Sequence, residues 1–416
     1  MKARIEIIHN RFEDARENDL PAVAGGTPVR KTNLPYGYHW VGEEEERELV
    51  DTLRNGWLTS GPKTAAFEDD LAQFTGSKYA VALSSASAAL HLALLALDVG
   101  PGDEVITTPL TFVATANAIL HVGAKPVFAD IDPETLNIDP ANVARLINRR
   151  TKVILPVHYA GQPCDMDVLR KLARKHRLRI VEDASHAIGA TVGKQRVGSI
   201  GDLTCFSFHP VKNMTTAEGG MITTNLRHLV SRIRALRFHG LMEDYITRAK
   251  RVKFRYPRMR LLGFKYVMTD LQASLGIHQL RRVPEFTERR TALAALYQNA
   301  LAGVPEVRCP VVRAGVGSAW HLYVIRLNLT RLRCSRDEFI DALKRENITG
   351  SVHYLPVHMH PYYAERFGLA KGDLPEVERA YREIVTLPLF PRMRDEDVQD
   401  VVAAVKRIIR YFRKTP

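Results

Sequence analysis

Between Tyr79 and Thr224 the chain alternates short, nearly continuous apolar runs with longer segments of helical period. The runs Tyr79–Leu83, Glu104–Thr107, Lys125–Ala129, Val153–Val157, Arg179–Glu182, Thr204–Phe208 and Met221–Thr224 are strand-length, and most are bounded by turn residues. A strand that is apolar on both faces needs cover on both faces, so these runs predict a mainly parallel, buried sheet. Stretches such as Ala88–Leu97 and Met166–His176 have the length and period of crossover helices. Upstream, Glu43 to Leu53 reads as a helix ending near Asn55-Gly56. Residues 1–30 are polar and irregular up to Gly25-Gly26-Thr27-Pro28, the pattern of an arm. From about residue 286 the pattern changes to helix, strand, helix and turn. The expected organisation is an arm (1–30), a large domain (31–285) and a smaller C-terminal α/β domain (286–416). The final helix sets Val398, Val401, Val402, Val405, Ile408, Ile409 and Phe412 on one face, which must dock on a core. Its basic residues Lys406, Arg407, Arg410, Arg413 and Lys414 gather towards the carboxyl end, where the helix dipole favours cations.

A chain of 416 residues can bury a large core. No apolar run approaches a membrane span, and Met1-Lys2-Ala3-Arg4-Ile5-Glu6 lacks the apolar centre of a secretion signal, so a cytoplasmic enzyme is expected. Cys164, Cys205, Cys309 and Cys334 lie far apart, which indicates neither a zinc site nor a disulfide framework; buried free thiols are expected and no metal. The net charge of +13 raises the question of nucleic acid. It is sharpest over residues 245–269, where Arg248, Lys250, Arg251, Lys253, Arg255, Arg258, Arg260 and Lys265 occur without an acidic residue before Asp270, and Tyr245, Phe254, Tyr256, Phe264 and Tyr266 are interleaved. No nucleic-acid-binding motif surrounds them. A basic mouth that draws in small anions, or a solvated basic loop, accounts for the same residues.

The chemistry is carried by two strand ends. Val181-Glu182-Asp183 delivers an aspartate, and 29 positions later Phe206-Ser207-Phe208-His209-Pro210-Val211-Lys212 delivers a lysine. This pair suits pyridoxal phosphate: an aspartate keeps the pyridine nitrogen protonated, and a lysine amine bonds the aldehyde. Either residue alone would be read as a surface salt-bridge partner. Ser84-Ser85-Ala86-Ser87-Ala88 runs from a strand into a helix, and the free amides at such a helix start seat a phosphate; a plain serine N-cap gives the same sequence. Phe112, after another strand end, can stack on a pyridine ring or pack in the core.

Taken in order, these residues resemble the DegT/StrS family of sugar aminotransferases. The likeness runs from about Leu34 to Phe412 through Gly56-Trp57-Leu58-Thr59-Ser60-Gly61-Pro62, the Ser84–Leu90 turn and Gly102-Asp103-Glu104-Val105-Ile106-Thr107. It continues through Glu182–Ala187, Phe206–Asn213 with Glu218-Gly219-Gly220, His353-Tyr354-Leu355-Pro356-Val357-His358, and Leu387-Pro388-Leu389-Phe390-Pro391. The resemblance implies the aspartate-aminotransferase-like fold type I. It makes Lys212 the coenzyme-bonding lysine, Asp183 the pyridine-nitrogen partner, Phe112 the stacking aromatic, and Ser87, Ala88 and Ser207 the phosphate holders. His186 falls on a histidine beside the coenzyme, and Ser60, Tyr354 and His358 fall on the substrate side. A lysine at 212 matches transaminases, whereas sugar dehydrases of the family carry histidine there. The segment Gly263-Phe264-Lys265-Tyr266-Val267 lacks the asparagine with which relatives reach a neighbouring subunit's phosphate, and Lys265 is expected to replace it with a charged contact. The implied reaction is amino transfer, with glutamate as donor, to a nucleotide-linked keto sugar in a homodimer. A cyclitol or ketose aminotransferase, a coenzyme-dependent sugar dehydratase and, remotely, a regulatory nucleic-acid-binding protein are the alternatives.

Overall fold

The computed structural model describes residues 20–241 and 256–414. Residues 1–19 of the expected arm, and Tyr245, Arg248, Lys250, Arg251, Lys253, Phe254 and Arg255 of the basic segment, lie outside the described residues.

Among the described residues nine strands precede the long helix Asp270–Leu301: β1 (Tyr79–Leu83), β2 (Glu104–Thr107), β3 (Lys125–Phe128), β4 (Thr151–Leu155), β5 (Arg179–Asp183), β6 (Thr191–Val192), β7 (Gln195–Arg196), β8 (Leu203–Ser207) and β9 (Gly220–Thr224). Seven of them form one sheet in the order β1-β9-β8-β5-β4-β2-β3. Only β9 runs against its neighbours, pairing antiparallel with β1 and β8; the pairings β8-β5, β5-β4, β4-β2 and β2-β3 are parallel. The sheet is therefore mainly parallel, as the continuous apolar runs predict.

Alternation along each strand feeds two cores. Ala82, Ile106, Ile154, Ile180, Phe206 and Met221 face a cluster with Phe67, Leu71, Leu169 and Ile277 from helices Pro62–Thr75, Met166–His176 and Asp270–Leu301. Their neighbours Val81, Val105, Val153, Val181, Cys205 and Ile222 face a cluster with Leu92, Ile119 and Ile233 from helices Ala86–Ala96, Val113–His121 and Arg227–Arg237. Burial on both sides explains the lack of polar alternation. The helix Met166–His176 and the end of the helix Glu43–Asn55 at Gly56, which takes a left-handed φ of 75°, follow the sequence pattern. The strand expected at Val153–Val157 instead starts at Thr151 and ends at Leu155; Val157 makes only a single bridge to Asp183.

In the C-terminal part, β10 (Val307–Arg308), β12 (Tyr323–Leu327) and β13 (Ile384–Leu387) form an antiparallel sheet, while β11 (Val316–Gly317) joins β6 and β7. Helices Arg336–Arg345 and Asp395–Phe412 cover it through Phe339, Val401, Val405 and Ile408. Helix Asp270–Leu301 crosses position 285 without a break. It gives Ile277 and Val283 to a core of the large sheet, and Leu293 and Tyr297 to the C-terminal core. The chain from Ala22 to Leu34 also lies on the C-terminal part: Glu346 accepts from the amides of Ala22 and Val29 at 2.8 Å each, and Leu34 bridges Ile348.

Packing adds to two readings of charge. The cations of the last helix lie towards its carboxyl end, with Arg410 in the last turn, and two of them also have partners in other elements: buried Arg407 pairs with buried Glu346 at 3.2 Å, and Arg413 pairs with Glu306 at 2.9 Å. The aromatics of the basic segment do not form an open stacking platform, because Phe264 and Tyr266 stack on each other at 5.0 Å and pack against His91. Among those described, Tyr256 alone is strongly exposed.

Candidate active site

Six strands of the large sheet point the same way, so the turns after their carboxyl ends converge, which is where ligands gather in such sheets. A cavity of about 330 Å³ opens there. Its floor comes from Val157 after β4, Asp183, Ser185 and His186 after β5, and Ser207 to Lys212 after β8. Ser85 to Ser87 after β1 and Thr111 to Phe112 after β2 form one wall, and Tyr36, His321, His353 and Tyr354 come from outside the large sheet.

Asp183 is buried, with each oxygen tethered once: Oδ2 accepts from Thr115 Oγ1 at 2.8 Å and Oδ1 from the Ser185 amide at 3.0 Å. Thr115 is in turn 2.7 Å from Thr111. A carboxylate oxygen accepts more than one bond, so Asp183 is oriented and still open to a further donor. Lys212 sits in the turn after β8, half-buried in the cavity wall. Burial pulls its amine down from 10.5 to about 8, and the nearby Asp183 charge opposes the shift. Three imidazoles surround it. Burial keeps His186 and His321 well below the usual histidine range and His353 at about 4, and the Lys212 charge adds to each shift. The trio is neutral at neutral pH. His186 Nε2 lies 3.0 Å from the Tyr354 hydroxyl, and its ring centre is 4.3 Å from that of His321.

The residues present fit pyridoxal phosphate. Ser85 caps the helix Ala86–Ala96, accepting from the Ala88 amide at 3.1 Å. That leaves the amides of Ala86 and Ser87 without helical partners and aimed at the cavity end. The hydroxyls of Ser87 and Ser207 make no hydrogen bond to a described residue, and both residues line the cavity. Ala88, expected as a phosphate holder, is buried behind them with its amide already engaged. Gly220 makes this seat possible: a Cβ there would stand 2.4 Å from Ser85 C and O and 2.5 Å from Ala86 N. Gly220→Ala should therefore push the helix start outward, destabilise the fold by about 1–3 kcal/mol and weaken coenzyme binding; urea unfolding and a coenzyme titration check both effects. Phe112 is 59 % exposed, an aromatic ring left uncovered beside Asp183 and Tyr354, as a stacking partner requires.

Not every expected residue reaches the cavity. His358 is buried and pairs with Glu378 at 3.3 Å, away from the lining. Ser60 offers its carbonyl to Trp57 Nε1, in a segment whose next amides, Gly61, Lys63 and Thr64, are gripped by the buried carboxylate of Asp270. Lys265 is exposed outside the cavity, its ammonium 4.4 Å from the centre of the Phe238 ring. Its segment nonetheless abuts the phosphate seat, since the Tyr266 carbonyl accepts from the Ser84 amide at 2.9 Å. His321, Thr115 and Tyr36 also line the cavity, and sequence reasoning missed them. Thr115 is separated from the acid it tethers by 68 positions, so no local pattern pointed to it.

The buried amine has a thermodynamic signature. In the coenzyme-free chain the folded state binds Lys212's proton less tightly than the unfolded state does, so the penalty is full below pH 8 and disappears as pH rises through 10.5. Lys212→Met should stabilise the coenzyme-free protein by up to about 3 kcal/mol at pH 7, with the gap to wild type closing near pH 10.5, as urea midpoints at the two pH values would show.

Paired acid and lysine at parallel strand ends, under a helix start and an uncovered aromatic ring, define a pyridoxal-phosphate-dependent aminotransferase of fold type I. The chain belongs to the DegT/DnrJ/EryC1/StrS aminotransferase family, whose model matches residues 40–406. It is 46% identical over 385 residues to the spore coat polysaccharide biosynthesis protein SpsC of Bacillus subtilis, covering 92% of this chain and 99% of that protein. Among solved structures it is similar to the pyridoxal-phosphate form of the sugar aminotransferase Spr1654 from Streptococcus pneumoniae, with 35% identity, a TM-score of 0.83, and coverage of 90% of this chain and 98% of that one. It is also similar to DesI, solved in the presence of its TDP-sugar product, with 31% identity, a TM-score of 0.81, and coverage of 94% and 96%. The protein is a sugar aminotransferase. No helix among the described residues is long and apolar enough to cross a membrane, and no group of His, Cys, Asp or Glu among them could hold a metal ion.

Proposed function

We propose that this enzyme transfers an amino group from glutamate to a nucleotide-diphosphate-linked keto sugar, a 4-keto-6-deoxyhexose by preference, and works as a homodimer. The observation that carries the reaction is Lys212, an amine half-neutral near pH 8, held in the same cavity as Asp183 and the free donors of the phosphate seat. The nucleotide sugar is supported by the similarity to DesI. Lys212 in place of histidine favours transamination over dehydration.

Pyridoxal phosphate, when bound, supplies an aldehyde that carries the amino group and a ring that spreads the electron pair of the reacting carbon. The chain's own residues do the rest. Asp183 would pair with the ring nitrogen and keep it protonated, its carboxylate held in place by Thr115 and the Ser185 amide. Ser87, Ser207 and the open amides at the helix start would hold the phosphate. Phe112 would cover one ring face and exclude water from it. Lys212 would serve as the base that moves a proton at the amino donor's carbon; its lowered basicity leaves a sizeable fraction of amine neutral for that task. The two half-reactions use the same lysine in opposite directions, so ping-pong kinetics are expected.

The exposed Lys265 is assigned to a partner subunit's phosphate, because its segment abuts the phosphate seat while its side chain, resting on the Phe238 ring, stays open to solvent. Lys265→Ala should weaken coenzyme or sugar-nucleotide binding by roughly tenfold, the loss of one charge-assisted bond, with the oligomer intact by light scattering. Unchanged constants would leave Lys265 as a solvated charge. The substrate reading is tested by mixing the pyridoxamine form with 4-keto and 3-keto sugar nucleotides, free ketoses and keto-cyclitols, and following the return of the aldehyde absorbance. Return with free ketoses or cyclitols alone would overturn it.

A further inference from the structure

Asn213, the residue after the coenzyme-bonding lysine, donates from Nδ2 to the Ala319 carbonyl at 2.7 Å and sets its Oδ1 2.9 Å from His321 Nδ1, both contacts buried. A carbonyl oxygen only accepts, so the first contact fixes which way the amide points. The second contact then requires a proton on His321 Nδ1, because the amide oxygen facing it has none to give. His321 is thereby locked in one tautomer, with the lone pair on Nε2. The backbone is held as firmly: Arg290 donates to the carbonyls of Trp320 and His321 at 3.1 and 3.2 Å and to that of Leu389 at 2.8 Å. A Cβ on Gly161 would come within 2.8 Å of the His321 amide. Nε2 makes no hydrogen bond to a described residue and is not among the buried atoms lacking a partner, so it opens onto the cavity that His321 lines.

The other imidazoles are placed differently. His186 Nε2 is engaged by Tyr354, and His353 Nδ1 is 2.9 Å from Thr386 Oγ1, a hydroxyl that can give or take and so fixes no tautomer. The remaining titratable groups facing the cavity are Asp183, Glu218, His209, Tyr36 and Tyr354. Lys212 is the only lysine or arginine among the lining residues, with three protons to give and no acceptor of its own. The Asp183 charge favours its protonated form only while no coenzyme ring nitrogen pairs with that carboxylate. A lysine released in the loaded site then needs another acceptor.

We propose that His321 Nε2, its tautomer set by Asn213, is the berth that receives the Lys212 amine whenever that amine is not bonded to the coenzyme. His321 acts as a positioning residue: it holds the lysine at the reaction face between half-reactions and takes no proton itself. Because the lysine and the histidine's tautomer are governed by adjacent residues, any shift of the 212–213 turn moves donor and acceptor together. The inference rests on Lys212 being the coenzyme lysine, which borohydride reduction and peptide mapping establish separately.

The test uses the full chain loaded with pyridoxamine phosphate, in which Lys212 is free, and follows its reductive methylation by peptide mapping as a function of pH. Loss of the acceptor destabilises the ammonium, so His321→Leu should move the midpoint to lower pH by about one unit and raise the ratio of neutral to protonated amine roughly tenfold. Asn213→Ala, which frees the tautomer, should move it the same way, and His321→Gln, which can present an oxygen, should restore it in part. An unchanged midpoint in His321→Leu, or a shift produced by His353→Leu instead, would overturn the proposal. If the leucine variant does not fold, nitrogen NMR of the wild-type histidines decides: a proton on Nε2 of His321 sinks the idea, and a proton on Nδ1 supports it. Labelling of a different lysine by borohydride would defeat the coenzyme assignment instead, so the two failures are distinguishable.

Discussion

Lys212→Ala should yield a folded protein with turnover lower by roughly 10⁴-fold or more, the loss of a general base together with that of the covalent anchor. The loss should appear in kcat at saturating sugar nucleotide, because the phosphate seat and the stacking ring are untouched and coenzyme still enters. Among the described residues no other lysine lines the cavity. Spectroscopy gives the sharper check: the variant should bind coenzyme without the pH-dependent band of a lysine-bonded aldehyde. Retention of that band would place the reactive lysine elsewhere.

Asp183→Asn is expected to leave secondary structure and coenzyme stoichiometry intact while slowing proton transfer by roughly 10²–10³-fold, the scale seen when a preorganised electrostatic contact is removed from a reacting centre. The amide can still meet Thr115 and the Ser185 amide, so local geometry survives. What disappears is the negative charge that keeps the ring nitrogen protonated. Single-turnover measurement of the donor half-reaction separates the two effects, since a structural residue would change affinity and a charge would change the rate of proton movement. A variant within a few fold of wild type in that step would reduce Asp183 to a strand-end residue.

The large sheet was legible because burial on both faces writes itself into sequence as unbroken apolar runs, and β1, β2 and β8 fall within one or two residues of the pattern. Asp183, Lys212, Ser87, Ser207, Phe112, His186 and Tyr354 are brought to one cavity as the motifs imply. His358 and Ser60 stay outside the cavity for a definite reason: a motif names residue types along a strand or turn, whereas where each side chain lies depends on partners far away, Glu378 for the one and the Asp270-anchored loop for the other. His321 was not visible, because its importance comes from a hydrogen bond to Asn213 across a long sequence interval. The partners of Arg407 and Arg413 in the final helix were hidden similarly, since Glu346 and Glu306 lie in other elements.

The cavity takes Tyr36 from near the start of the described chain and Tyr354 from near its end, and the amide of Val29 is tied to Glu346 across 317 positions. During synthesis the large sheet can close soon after Thr224 emerges, but the site cannot be completed until most of the chain has left the ribosome. Contacts of such sequence separation form late because their loop must be closed first. A nascent chain stalled before His353 would present half a coenzyme pocket, so coenzyme capture is a report of completed synthesis, and prematurely terminated chains remain without it.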